Sequence, residues 1–80
     1  MDLDGLALFV AIARHGGLNA ASRETGVAKA TLSRRLRELE TGLGTILLDR
    51  GHRQLILTEE GRHLYDRAAP LLSDLVAAAA

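Results

Sequence analysis

Eighty residues with 48 % apolar side chains make one small domain, near the lower limit of what folds without covalent or metal staples. The chain has no cysteine, which excludes a disulfide framework, a thiolate nucleophile and a cysteine-rich zinc site, and suits a cytoplasmic setting. With Phe9 and Tyr65 as its aromatic residues the core must be aliphatic, and neither a membrane-length apolar run nor a basic signal-peptide start is present.

Ten basic and ten acidic residues balance to zero net charge, which by itself argues against a polyanion partner. Their distribution argues the other way. Arg23, Lys29, Arg34, Arg35, Arg37, Arg50 and Arg53 outnumber Glu24, Glu38, Glu40 and Asp49 in the middle of the chain. Acids dominate both ends, with Asp2 and Asp4 at one and Glu59, Glu60, Asp66 and Asp74 at the other. A basic middle between acidic ends is a patch, and patches steer polyanions.

A first helix is predicted from about Leu3 to His15, with Leu6, Phe9, Val10 and Ala13 on its buried face. Asp2 and Asp4 favour its N-terminus, and Gly16-Gly17 ends it. Asn19 is the expected N-cap of a second helix that carries the small residues Ala20 and Ala21 and stops near Gly26. The turn from Thr25 to Ala28 is short, with Gly26 supplying positive φ and Val27 a buried plug.

The third helix, about 29–41, carries Leu32, Leu36, Leu39 and Leu43 at four-three-four spacing, which is one packed face. On the other side lie Ala30, Ser33, Arg34 and Arg37, with Lys29 in the first turn. Small residues among arginines suit close approach to base edges in a DNA major groove, and the planar fork of Arg34 suits guanine. The competing reading is a solvated face of Arg34–Glu38 and Arg37–Glu40 pairs.

Two β-prone runs follow, Ile46-Leu47-Leu48 and Leu55-Ile56-Leu57, around the basic tip Asp49-Arg50-Gly51-His52-Arg53-Gln54. They read as a wing against the backbone or minor groove, or as an ordinary hairpin. Thr58 then caps a last helix to about Ala78, with Glu59 and Glu60 in its first turn. Leu64, Ala68, Leu71, Leu72, Leu75 and Val76 give it more apolar surface than so small a core needs. That surface suits a second copy of the chain and also packing onto the first helix; Pro70 can kink it.

The string LxxFVxIAxxGG, then NAAS, GVAKATLSRRLRELE, LG, LLDR and RQLxLTEEG, resembles the N-terminal domain of LysR-type transcriptional regulators over essentially the whole chain. The resemblance implies a mainly α, winged helix-turn-helix fold of three helices and a short two-stranded wing over 1–57, with a long linker and dimerisation helix over 58–80. It implies a homodimer through that C-terminal helix on a partly palindromic double-stranded operator. DNA contacts map to Ala28, Lys29, Ala30, Thr31, Ser33 and Arg34 on the recognition helix, with Arg37 on the same basic face, and to Arg50 and Arg53 on the wing. Family members continue into an effector domain that binds a small-molecule inducer; it is absent from these residues, so the chain is a fragment or has lost ligand control.

Several positions depart from the family pattern. Ala28 replaces a capping serine, Lys29-Ala30 replaces Gln-Pro, and Ser22 and Thr25 replace alanine and leucine, making the second helix less apolar. Lysine for glutamine trades an adenine reader for a cation that prefers guanine or phosphate. No catalytic residue, metal or cofactor is expected: His15, His52 and His63 fall on three separate elements, and Ser33 lacks a neighbouring base. The alternative function is a winged-helix protein-interaction module, favoured by the zero net charge and opposed by the basic face.

Overall fold

In the computed structural model, residues 2–51 and 54–80 are described; the wing residues His52 and Arg53 lie outside them. Helix α1 spans Leu3–His15, α2 Leu18–Thr25 and α3 Lys29–Leu43; strands β1 (Leu48–Asp49) and β2 (Ile56–Leu57) pair antiparallel, and α4 runs over Glu59–Ala79. This is the winged helix-turn-helix with a long following helix that the sequence implies.

α1 begins where the Asp2 carboxylate accepts the Gly5 N–H at 3.0 Å. It ends at Gly16, whose φ of 81° suits glycine, with the amides of Gly16 and Gly17 returning to the carbonyls of Ala13 and Ile12. Leu6, Phe9 and Val10 are buried as expected, whereas Ala13 is half-buried and Ile12 is fully buried. The buried arc is wider than the expected stripe because α1 packs against three helices, α2, α3 and α4. Phe9, Ile12, Leu32, Leu36 and Leu47 form the solvent-free centre, each contributing about 1.5–3 kcal/mol by burial.

α2 starts two residues earlier than expected, with Gly17 at the N-cap and no side-chain cap; Asn19 is exposed inside the first turn. The turn after α2 is held by Ser22 and Thr25. The Ser22 hydroxyl donates to the Val27 carbonyl at 2.7 Å; that of Thr25 donates to the Ala21 carbonyl at 2.7 Å and accepts the Val27 N–H at 3.2 Å. These polar residues, expected only to dilute the apolar face, also hold the turn between α2 and α3.

α3 buries Leu32, Leu36 and Leu39 while Leu43 stays at the exposed rim. Gly42 lies inside the helix, which closes at Gly44. Glu40 is buried: its Oε2 accepts the amides of Leu47 at 2.7 Å and Leu48 at 3.2 Å. The Glu40–Arg37 pair of the competing solvated-face reading is therefore not formed. Each strand holds two residues where runs of three were expected; at Leu47 the amide turns to the carboxylate, while its carbonyl takes the Thr58 N–H at 3.0 Å in the register of the ladder.

Thr58 caps α4 as expected, accepting the Gly61 N–H at 3.0 Å while its hydroxyl donates to the Ile46 carbonyl at 2.6 Å. α4 continues through Pro70 for roughly 30 Å. The expected apolar stripe divides. Ala68 is in the core with Leu64 and Leu72 packed beside it, whereas Leu71, Leu75 and Val76 are 63–70 % exposed. No helix among the described residues is long and apolar enough to cross a membrane.

Candidate nucleic-acid interface

Burial of the leucine face forces the other face of α3 outward. Ala28, Lys29, Ala30, Arg34 and Arg37 are exposed there, with Thr31 and Ser33 half-buried at the edges. Lys29 and Arg37 have no ion-pair partner among the described residues. Arg34 pairs with Glu38 at 3.3 Å, as the solvated-face reading expects, but both side chains are more than half exposed. Such a pair is worth about 0–1 kcal/mol and leaves the guanidinium free to exchange for a stronger acceptor.

Arg35 points elsewhere. It contacts both oxygens of Asp2, at 3.3 and 3.2 Å, and reaches Glu38 at 3.8 Å, fastening α3 to the start of α1. The Gly5 amide holds the Asp2 carboxyl below its ordinary value, with desolvation opposing and the Arg35 charge assisting. Of the arginines on α3, Arg35 is therefore part of the scaffold, and Arg34 and Arg37 carry the outward charge.

The N-terminus of α3 is bare. Ala28 takes the N-cap position with φ −58° and ψ 140° and offers no side-chain acceptor. α2 is likewise uncapped at Gly17. Free first-turn amides at two helix starts are partial positive charges suited to an anion. Asn19, Ala20, Arg23, Lys29, Gln54 and Leu55 line one groove between these elements. Sequence reasoning missed Asn19, Arg23 and Gln54 as neighbours of Lys29; the expected capping role of Asn19 concealed it. Ala28→Ser is expected to stabilise the domain by about 1 kcal/mol, raising the thermal midpoint by about 4–8 °C. An unchanged midpoint would mean that solvent already satisfies these amides.

The wing base sits differently from its expected role. Arg50 follows β1, but its guanidinium folds back onto α3: Nη1 donates to the Ser33 hydroxyl oxygen at 3.4 Å and Nη2 lies 3.9 Å from Glu40 Oε1. Asp49 Oδ1 accepts the Gly51 N–H at 2.9 Å and tightens the turn after β1. Arg53, the other expected wing contact, lies outside the described residues. Among the described residues no group of His, Asp or Glu could hold a metal ion.

The model of the lysR family of bacterial regulatory helix-turn-helix proteins matches residues 3–62. The chain is 45 % identical over 64 residues to a probable hydrogen peroxide-inducible genes activator of Mycobacterium leprae, covering 80 % of this chain and 21 % of that protein. It is 38 % identical over 73 residues to the HTH-type transcriptional regulator DmlR of Escherichia coli, covering 91 % and 24 %. The chain thus spans about a quarter of the length of these curated relatives or less. Among solved structures, the BenM DNA-binding domain in complex with benA site 1 DNA superposes with a TM-score of 0.91 at 35 % identity, over 99 % of this chain and 89 % of that one. Full-length AphB, a virulence activator of Vibrio cholerae, gives 0.94 at 38 % identity over 99 % and 27 %. These matches are to transcription regulators, not enzymes.

Proposed function

The chain belongs to the lysR family of bacterial regulatory helix-turn-helix proteins, and from that premise we propose that it binds double-stranded DNA sequence-specifically, with α3 in the major groove. The observation that carries this reading is the outward face of α3. Ala28 and Ala30 leave room for base edges, Lys29, Arg34 and Arg37 supply unburied charge around them, and the buried leucines fix the face in one orientation. The BenM domain, solved with DNA, has the same fold over almost its whole length. Thr31 and Ser33 edge the contact surface, and the free amides of α2 and α3 with Arg23 suit phosphates. Arg53, outside the described residues, is carried over as a further contact from the resemblance alone.

Selection from a random duplex library, followed across salt, tests the proposal. Enrichment of one motif, bound with an affinity that falls steeply with salt, is expected. Enrichment of nothing, with salt-insensitive or absent binding, would favour a protein-interaction module. On the enriched duplex, Arg34→Ala is expected to cost about 1–3 kcal/mol and to relax preference at one base pair. An unchanged specificity profile would remove Arg34 from base readout.

The exposed row Leu71, Leu75 and Val76 supports a homodimer through α4, and a twofold protein reads a partly palindromic operator. Leu71→Asp with Leu75→Asp is expected to give monomers by sedimentation at concentrations where the parent is dimeric, and to lose at least tenfold in operator affinity, about 1.4 kcal/mol. A monomeric parent would refute this part of the proposal. A small-molecule inducer enters this reading only through a further domain beyond these residues.

A further inference from the structure

We propose that Arg50 is a positioning residue for DNA recognition: anchored by Glu40, it fixes the Ser33 hydroxyl as a hydrogen-bond donor toward the duplex. This rests on the DNA-binding reading above and refines it, because the family pattern would have Arg50 meet DNA from the wing.

The Arg50 side chain is 26 % exposed, against 61 % for Arg34. Its Nη2 is buried, without a hydrogen-bond acceptor among the described residues, and 3.9 Å from Glu40 Oε1. The other oxygen of that carboxylate is committed to the Leu47 and Leu48 amides. Swinging Arg50 out to a phosphate would leave the buried Glu40 carboxylate with its two amide hydrogen bonds but without its cation, a cost that favours the guanidinium where it is. What it presents to α3 is an N–H, and Ser33 Oγ accepts it at 3.4 Å.

A serine hydroxyl has one hydrogen and two acceptor sites. With an acceptor site facing Arg50, its hydrogen is directed away, and no acceptor among the described residues takes it. One acceptor site stays open, but an oxygen that already accepts from a guanidinium is a poorer acceptor and its O–H a better donor, so Ser33 meets DNA chiefly as a donor. Its partners are acceptors: a phosphate oxygen, guanine O6 or N7, adenine N7, or thymine O4. The amino groups of cytosine and adenine are disfavoured. Arg50 thus acts on base preference without touching DNA.

The test uses the chain on a duplex it selects and on a random-sequence duplex of equal length. Ser33→Ala and E40Q/R50Q, which keeps net charge constant, are each expected to lower the ratio of the two affinities roughly three- to tenfold. Combined, they lower it no further, and the salt slope of E40Q/R50Q matches the parent. A slope smaller by about one in E40Q/R50Q, or additive losses, overturns the inference and makes Arg50 a direct phosphate contact. A second reading needs no substitution and survives misfolding of any variant. In the unmodified chain, the Nε–H resonance of Arg50 is expected to move less on adding duplex than that of Arg34. A movement of Arg50 as large as that of Arg34 would overturn the inference. Absence of duplex binding by the parent overturns the DNA reading itself; binding with either contrary result overturns this inference alone.

Discussion

Glu40→Ala is expected to cost the fold about 3–5 kcal/mol, measured as a fall in the urea midpoint at unchanged slope. The side chain is 8 % exposed, and its truncation strands the amides of Leu47 and Leu48 together with the Arg50 guanidinium. An unsatisfied buried donor costs about 1–3 kcal/mol, and an orphaned charge more. Eighty residues support about 4–12 kcal/mol in total, so the variant stands close to unfolding. Glu40→Gln should be milder, because a single amide oxygen can accept both N–H groups that Oε2 now accepts. A loss below about 1 kcal/mol for the alanine variant would mean that water replaces the carboxylate.

Gly61→Ala provides the second large effect, and its sign is diagnostic. In an ordinary helix interior this change stabilises by about 0.5–1 kcal/mol. Here a Cβ would overlap the Leu47 carbonyl oxygen and lie 2.9 Å from its carbonyl carbon, both backbone atoms that no rotamer change can move. Destabilisation of about 1–3 kcal/mol or more is expected. The same contact sets how α4 leaves the domain, since Thr58 binds the carbonyl of Ile46 within one turn of Gly61. Any folded fraction of the variant should therefore bind a two-half-site duplex more weakly than the parent. A stabilised Gly61→Ala protein would show that α4 does not need this close approach.

Both positions show where the sequence stops being informative. Periodicity was sufficient for α1, for the leucine face of α3 and for the Thr58 cap, because those depend on residues three or four apart. For Glu40 the sequence offers only a local i,i+3 partner in Arg37, whereas its actual partners are backbone amides of residues that reach it only after the chain turns at Gly44. Arg50 carries the composition of a wing tip but the position of a core edge, a distinction that only packing makes. The split of the α4 stripe has the same origin. Leu64, Ala68 and Leu72 pack on the core while Leu71 and Leu75 face outward, and a sequence stripe records hydrophobicity without its destination. For Ser22 and Thr25, hydrogen bonding across the turn was legible in principle, since such hydroxyls commonly bond nearby backbone.

Amide chemical-shift mapping of the chain, titrated with its selected duplex at low salt, tests the central claim most directly. The largest changes are expected from Ala28 through Arg37 and at the α2 start around Leu18 and Asn19, with Glu59 to His63 at the base of α4 unaffected. Changes confined to α4, or none at any duplex concentration, would contradict recognition of DNA through the outward face of α3.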